Sequence, residues 1–367
     1  MSVRLDAGEG KHKGHFAVLD GLRGVAAIAV VVMHIGEMLL LPNCFPQAYL
    51  AVPFFFVLSG FVISYAYEGG LMQRTTALGF MIVRIKRLYP MLLVGLAISI
   101  AISVFRALAK GADFNTTDAI VNLLAAITMI PRPGASAFGL LPPQWSLAIE
   151  LWGNLLHHLL RSFLSRSALN LGLPLAFVAM ASGAFYYGGL GTGWAIGNML
   201  GGVATFVFSY GMGVLIFRLW QEGRLPRVPI PLWAIIGILV VSLAVPQPLR
   251  TSSNALRDLV CATFVYPVIL IACLTTALSP TALRLSLFFG RISYPVYIVH
   301  YPVVLFCCYA LLRLKLPLWA KYATVPFVAV LAISAAWLLL KYFDEPFRRL
   351  LDGATRALPL TPGQVRR

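Results

Sequence analysis

The sequence predicts an all-α integral membrane protein, folded as a single bundle of about ten transmembrane helices with both termini in the cytoplasm. Hydrophobic residues make up 59% of the 367 positions and charged residues only 11%, which is unlike a soluble globular protein. Several apolar runs exceed about 18 residues, the length needed to cross roughly 30 Å of hydrocarbon. The lipid bilayer is therefore the first partner that the sequence predicts.

The bundle is expected to occupy residues 16–345, between a cytoplasmic tail at 1–15 and a short basic cytoplasmic tail at 346–367. The first tail leads into an apolar run without a small-residue cleavage site, which predicts a retained first helix and not a signal peptide. The ten expected spans lie at roughly 16–41, 49–66, 88–108, 143–163, 172–190, 194–217, 230–246, 258–278, 289–312 and 318–342.

The positions of the basic residues predict the orientation of these spans. With the N-terminus inside, the inner segments hold 19 Lys and Arg residues and the outer segments hold 8. Cytoplasmic loops of membrane proteins carry an excess of these residues, so both termini are placed inside, and the inner (plasma) membrane is the expected location. The long outer connection, 109–142, contains the apolar stretch Ala119–Ile130, which is too short to span and predicts an interfacial or re-entrant helix.

The formal net charge of +16 would suggest a nucleic-acid partner in a soluble chain. Here loop arginines that fix topology and meet anionic headgroups account for the charge, so no nucleic-acid partner is expected. The five cysteines are odd in number and lack the spacing of metal ligands, so no metal site is expected.

Four ionisable side chains lie in the first span, within Leu19–Glu37. At about 100° per residue, Asp20, Arg23, His34 and Glu37 share one stripe of the helix, and a rise of ~1.5 Å per residue puts His34 roughly 16 Å beyond Arg23. Ionisable groups inside a membrane are costly, which favours a function for this stripe. The alternative interpretation is a buried histidine that is hydrogen-bonded to a neighbouring helix.

Three basic side chains, Arg84, Lys86 and Arg87, precede the Tyr-Pro pair that starts the third span. Because guanidinium groups match phosphate oxygens with two parallel hydrogen bonds, this cluster is a candidate phosphate site, which Arg23 would join from the first span. Topological anchoring is the alternative interpretation.

The fourth span begins after two prolines and carries Ser146, Glu150 and His157 on one helical face. Glu150 lies roughly 8 Å along the helix from its outer end. A carboxyl group at that depth must be paired or uncharged, so Glu150 is a candidate acid, base or orienting group. A structural ion pair with an arginine is the alternative.

The ninth span contains five polar side chains, Ser293, Tyr294, Tyr297, His300 and Tyr301. Ser293, Tyr297 and His300 form one stripe, which predicts that they line a polar cavity. Hydrogen bonds that only pack the helices together are the alternative.

Six motifs occur in order along the chain. They are LDGLRG with Arg23 and His34 separated by ten residues, FFFVLSGF at 54–61, Arg84 and Arg87 followed by Tyr-Pro, Trp145-Ser146-Leu147 leading to Glu150, SYPVYIVHYP at 293–302, and Glu345-Pro346 at the end of the last span. In this combination the sequence resembles the acyltransferase-3 family of integral membrane acyltransferases.

The resemblance implies an enzyme that moves an acyl group, usually acetyl from acetyl-coenzyme A, to a hydroxyl of an envelope or secreted carbohydrate or glycolipid. Acetyl-coenzyme A would be a cosubstrate, and no permanently bound cofactor is expected. Family members use the counterparts of Arg23 and His34 as an essential pair, and those of Arg84 and Arg87 on the donor side. This chain departs from the pattern at Pro53, where many members carry an acidic residue, and no C-terminal extracytoplasmic domain is seen after the last span.

The expected site therefore has three parts. Arg23, Arg84 and Arg87 would bind coenzyme A phosphates. His34 would act as a general base or as a nucleophile, with Glu37 or Glu150 orienting its imidazole. The residues expected to line the substrate cavity are Trp145, Ser146, Ser293, Tyr294, Tyr297 and His300.

Two alternatives to this function remain at the level of sequence. The acceptor could be a macrolide-like small molecule, or the chain could be a carrier that moves a solute without covalent chemistry. The sequence does not determine the acceptor hydroxyl, the acyl chain length or the oligomeric state.

Overall fold

The computed structural model describes residues 6–42, 44–68, 76–110, 115–246 and 252–356, and every regular element in these ranges is helical. The helices are α1 (Asp6–Leu39), α2 (Ala51–Glu68), α3 (Ala77–Lys110), α4 (Thr116–Thr128), α5 (Gln144–Leu160), α6 (Arg166–Tyr187), α7 (Met199–Gln221), α8 (Leu232–Ala244), α9 (Ser252–Val260), α10 (Tyr266–Cys273), α11 (Pro280–Arg313), α12 (Leu318–Leu339) and α13 (Glu345–Arg356). Five-residue π-helical turns join α9 to α10 and α12 to α13.

Eight helical stretches of the described chain are long and apolar enough to cross a membrane. They are Phe16–Leu39, Ala48–Ala66, Ala77–Ala109, Arg166–Tyr187, Ile196–Gln221, Asn254–Cys273, Pro280–Arg313 and Leu318–Leu351. The prediction of an all-α integral membrane protein is thereby confirmed. Counted by length and composition, the described residues hold eight candidate spans, fewer than the ten expected from the sequence.

The two expected spans that fall short are 143–163 and 230–246. They form α5, with 17 residues, and α8, with 13. Helix α5 ends at Leu160 and carries the polar side chains of Glu150, Asn154 and His157, whereas α8 is bounded by Pro231 and Pro246. Both still pack inside the bundle, α5 against α3 and α7, and α8 against α1 and α10.

The long connection before α5 contains α4, a helix of 13 residues, as the short apolar stretch predicts. The side chain of Asn115 caps its first turn by accepting a hydrogen bond of 2.9 Å from the backbone N–H of Asp118. The hydroxyl of Tyr89 donates to the backbone oxygen of Ile127, which ties α4 to α3.

Helices α1 and α11 form the most extensive helix pair of the bundle. Their backbones approach so closely that a Cβ on Gly24 would lie 2.5 Å from Cβ of Phe289, and a Cβ on Gly290 would lie 2.3 Å from Cβ of Asp20. Only glycine allows this approach. The pair brings the ionisable stripe of the first span against the polar stripe of SYPVYIVHYP.

Helices α2 and α7 are joined in the same way. A Cβ on Gly60 would lie 2.1 Å from the backbone oxygen of Tyr210, and one on Gly213 would lie 2.1 Å from the backbone oxygen of Val57. The small residues of FFFVLSGF therefore serve helix packing here, as small residues in membrane helices commonly do.

The expected tails lie partly within helices. Residues 6–15 continue α1, and Glu345 begins α13, while 1–5 and 357–367 lie outside the described residues. The side of the membrane on which the two ends lie stays a prediction.

Candidate active site

Two cavities enter the bundle at different depths along α1, and both have Val52 and Tyr297 in their walls. The first has a volume of about 120 Å³ and is called the arginine cavity. It is lined by Arg23, Arg84, Arg87, Glu150, Ser59, Ser146, Ser293, Tyr294 and apolar residues of α2. The second has a volume of about 690 Å³ and is called the histidine cavity. It is lined by His34, Glu37, Tyr49, Trp145, Tyr187, the segment Gly188–Thr192, Trp194, Asn198 and Tyr301.

The arginine cavity carries a net positive charge. Nη2 of Arg84 lies 3.4 Å from Oε1 of Glu150, and that oxygen also accepts a hydrogen bond of 2.7 Å from the hydroxyl of Ser59. Arg23 pairs with Asp20 on its own helix at 3.0 Å. Three guanidinium groups therefore face a cavity that is lined by a single carboxylate, which favours binding of an anion.

Arg84 is the most enclosed of these arginines. Its side chain is only 8% exposed, and its Nε is buried without a hydrogen-bond acceptor among the described residues. A buried charged donor without an acceptor is costly, so an acceptor oxygen beside it would be favoured.

His34 is oriented by Glu37. Nδ1 of His34 lies 2.9 Å from Oε2 of Glu37, one turn further along α1. A carboxylate only accepts hydrogen bonds, so Nδ1 carries a proton, and Nε2 of the neutral ring keeps a lone pair. No described residue is hydrogen-bonded to Nε2. The geometry is that of a general base held by a carboxylate behind it.

Two aromatic groups of α11 contact the ring of His34. The imidazole of His300 stacks on it, with 5.3 Å between centroids and 21° between planes, and Tyr301 meets it edge-on at 5.5 Å. His300 is fully buried, and its Nδ1 lies 2.9 Å from the backbone oxygen of Val296, which can only accept. His300 thus donates to its own helix through Nδ1 and contacts His34 from behind the cavity wall.

A glycine-rich segment forms another wall of the histidine cavity. Asp258, which is fully buried, accepts hydrogen bonds from the backbone N–H of Leu190 at 2.9 Å and from the hydroxyl of Tyr49 at 2.8 Å. Gly189 has φ of +144°, and a Cβ there would lie 2.8 Å from Oδ2 of Asp258. Only glycine permits this anchoring of the loop.

The two cavities meet at a pair of hydroxyl groups. The hydroxyl of Tyr297 on α11 lies 2.7 Å from Oγ of Ser146 on α5, and Phe55 packs edge-on against the tyrosine ring at 5.8 Å. The arginines lie on one side of this pair and His34 lies on the other.

The structure separates the two carboxylates that the sequence offered as partners of His34. Glu37 contacts the imidazole, whereas Glu150 lies in the arginine cavity with Arg84 and Ser59. Glu150 is thus paired with an arginine in this structure, and its role in the reaction stays a prediction. His157 lies outside both cavities, where it is hydrogen-bonded to the hydroxyl of Tyr210 at 2.7 Å.

The other expected cavity residues divide between the two spaces. Trp145 lines the histidine cavity, Ser146, Ser293 and Tyr294 line the arginine cavity, and Tyr297 lines both. His300 lines neither and acts through its contact with His34.

Sequence reasoning missed three residues that shape the site. Asp258 is an acidic residue at the edge of an apolar span, a signal that alone marks a functional candidate. Tyr49 gave no signal beyond its place near a span end. Ser59 is a small residue in an apolar span, a signal that predicts only helix packing, and nothing local shows that it meets Glu150 on another helix.

Comparison with known proteins supports the family resemblance that the six motifs indicate. Residues 16–341 match the family model described as an acyltransferase domain. The chain belongs to the acyltransferase-3 family. It is therefore an acyltransferase enzyme of a membrane type, and the resemblance of the six motifs is confirmed at the level of the family.

A relative from Rhizobium radiobacter, named "Protein 2 in picA locus", is 32% identical over 149 residues, which cover 37% of this chain and 77% of the relative. Its name states no activity. No solved structure matches the chain.

Proposed function

We propose that this acyltransferase moves an acetyl group from cytoplasmic acetyl-coenzyme A to a hydroxyl of an envelope or secreted carbohydrate or glycolipid, in the inner membrane of the cell. The observation that carries the proposal is the pair of cavities that meet at Tyr297, one lined by three arginines and the other by His34. A donor bound through phosphates on one side can thus present its acyl group to an acceptor on the other side.

The donor would bind in the arginine cavity. Arg23, Arg84 and Arg87 supply guanidinium groups for the phosphates of coenzyme A, and the pantetheine arm would extend along α1. His34 lies roughly 16 Å beyond Arg23 by helical rise, so the thioester must pass the hydroxyl pair of Tyr297 and Ser146 to reach it.

The acceptor would bind in the histidine cavity. A volume of about 690 Å³ is in the range of small-molecule sites. The wall combines aromatic rings, Trp145, Trp194 and Tyr49 among them, with the polar side chains of Thr192 and Asn198. Apolar ring faces together with hydrogen-bonding groups suit the faces and hydroxyls of a sugar.

The arrangement around His34 favours direct transfer. Nε2 takes the proton of the acceptor hydroxyl while the hydroxyl oxygen attacks the carbonyl carbon of the thioester. The carbon–sulfur bond breaks, an ester forms, and coenzyme A leaves as a thiolate that takes the proton back from the imidazolium. The carboxylate of Glu37 stabilises the imidazolium in between.

The test is the variant His34→Gln, which keeps a polar side chain but has no titratable nitrogen. Membranes are supplied with labelled acetyl-coenzyme A, and label on glycan is measured. We expect acetyl-coenzyme A binding and thermal stability to be retained and transfer to fall by ~10²-fold or more. His157→Gln is the matched control, because His157 lies outside both cavities, and it should transfer like the wild type.

Transfer by His34→Gln at the wild-type rate would refute the role of His34. Wild-type protein that transfers no label but moves an unmodified solute into vesicles would support a carrier instead. Mass spectrometry of envelope glycans from cells with and without the protein would identify the acceptor. If an acylated small molecule were found and no acylated glycan, the acceptor would be that small molecule and not a carbohydrate.

A further inference from the structure

A second group of arginines lies far along α3 and α11 from the arginine cavity. The guanidinium carbon of Arg106 lies 5.1 Å from the ring centroid of Tyr309, and that of Arg313 lies 4.8 Å from the same centroid. Arg313 also donates a hydrogen bond to the hydroxyl of Tyr309. The three residues are called the Tyr309 cluster.

Among the described residues, the charge of the Tyr309 cluster is not balanced by a carboxylate. No carboxylate of the described chain lies within 4.0 Å of either guanidinium, and Nε of Arg106 is buried without a hydrogen-bond acceptor there. Two like charges that share one ring repel each other, and an anion beside them relieves the repulsion. The cluster is thus a place where a bound anion is favoured.

The cluster lies further along α11 from Tyr301, a wall residue of the histidine cavity. The ring of Tyr301 also contacts His34, with 5.5 Å between the two ring centroids. Tyr301 and Tyr309 are eight residues apart on α11, or roughly 12 Å by helical rise. An anion at the cluster would therefore lie about one or two sugar rings from the general base.

The surface beside the cluster is apolar. The rings of Phe105 and Phe306 lie 5.7 Å apart, and these residues are 49% and 44% exposed. Both belong to membrane-spanning helices, so this exposed surface faces lipid. An anion at the cluster would thus lie beside this apolar surface and roughly 12 Å along α11 from a wall residue of the histidine cavity.

We infer that Arg106 and Arg313 bind the phosphate of an amphiphilic acceptor, whose lipid chain lies along Phe105 and Phe306 while its sugar enters the histidine cavity. Guanidinium groups are suited to phosphate oxygens, and the position between lipid and cavity suits a molecule with both parts. The role of the sugar rests on the proposed function, whereas the phosphate site does not.

Binding tests the phosphate site without any transfer. The probes are a diacyl phosphatidic acid and the matching diacylglycerol, added to purified protein in uncharged detergent. The double variant Arg106→Gln with Arg313→Gln should bind phosphatidic acid about tenfold more weakly or worse, and bind diacylglycerol as before. The control is a double variant that removes the same amount of charge at Lys315 and Lys321. It should bind phosphatidic acid and diacylglycerol like the wild type. Equal binding of phosphatidic acid by all three proteins, or an equal loss in both double variants, would overturn the site.

Transfer in nanodiscs of uncharged lipid then distinguishes an acceptor phosphate from a bulk phospholipid headgroup. The acceptors are dodecyl phosphoglucose and dodecyl glucoside, which differ by the phosphate. The Arg106 and Arg313 variant should raise KM for the phosphate-bearing acceptor about tenfold and leave KM for the glucoside unchanged. An unchanged KM for both acceptors would mean that the arginines bind only bulk phospholipid, which overturns the acceptor assignment.

Failure of the proposed function gives a different result. The wild type would then transfer to neither acceptor while still binding phosphatidic acid. In that case competition decides the occupant: dodecyl phosphoglucose should displace phosphatidic acid at least as well as dodecyl methyl phosphate, a diester of the same charge without the sugar. Weaker displacement would show that the sugar is not accommodated and would overturn the inference.

Discussion

The imidazole rings of His34 and His300 stack with 5.3 Å between centroids, across the interface of α1 and α11. His34 lines a cavity, whereas His300 is fully buried and bonded to the backbone of its own helix. The buried ring is therefore a rigid support for the ring that we propose as the general base. This makes His300 a positioning residue, not a group that exchanges protons with the acceptor.

Removal of the supporting ring should slow transfer without weakening donor binding. We expect His300→Ala to lower kcat about tenfold or more, because small displacements of a base are costly, while KM for acetyl-coenzyme A stays the same. His300→Phe, which keeps a flat ring, should recover part of the loss. Steady-state kinetics per folded molecule would check this, and a fall in protein yield with unchanged kcat would indicate a purely structural residue.

The two carboxylates should have separable effects. Glu37→Gln removes the negative charge behind His34 and should lower kcat by ~10²-fold, since the base then lacks a charged partner. Glu150→Gln changes the surroundings of Arg84 and should alter KM for acetyl-coenzyme A more than kcat. Kinetics with varied donor concentration distinguish the two, and the reverse pattern would reassign both residues.

The arginines of the donor side should be needed for binding more than for folding. Arg84→Ala and Arg87→Ala each remove a charge-assisted contact worth about 1.5–3 kcal/mol, so acetyl-coenzyme A should bind roughly tenfold more weakly or worse. Lys86→Ala is the control, because it removes the same charge from the same stretch but does not line the arginine cavity. Titration of the purified proteins with acetyl-coenzyme A measures these affinities. If all three variants bind it as tightly as the wild type does, the arginines are topological anchors.

The orientation can be tested with a native cysteine. Cys44 follows α1 and is exposed, whereas Cys261, Cys273 and Cys308 are buried and Cys307 is partly buried. A membrane-impermeant maleimide should label the wild type in intact spheroplasts and should not label Cys44→Ser. Labelling that appears only after lysis would place Cys44 in the cytoplasm and would reverse the assignment of the donor side.

The sequence predicts much of this fold because hydrophobic length and helical periodicity are local properties. The stripe of Arg23, His34 and Glu37 follows from spacing along one helix, and the hydrogen bond of His34 to Glu37 is a contact within a single turn. Span length is predicted less well, since α5 is interrupted by polar residues and ends at Leu160, and prolines bound α8.

Contacts between helices cannot be predicted from the sequence in this way. Periodicity shows which face of α5 carries Glu150, but it does not show which helix lies opposite that face. Hence the pairing of Glu150 with Ser59 and Arg84, and the stacking of His300 on His34, appeared only in the folded bundle.

The close contact of α1 with α11 has a consequence for residues that never meet substrate. Gly24 fixes the separation of the two backbones ten residues, or roughly 15 Å, before His34. Over that length, a change of about 4° in the crossing angle displaces the far end by roughly 1 Å, the scale at which misplacement becomes costly for catalysis. The alignment of His34 and His300 therefore depends on Gly24, a glycine roughly 15 Å away along α1. A methyl group added at Gly24 would change the crossing angle and thereby slow the reaction without touching the substrate.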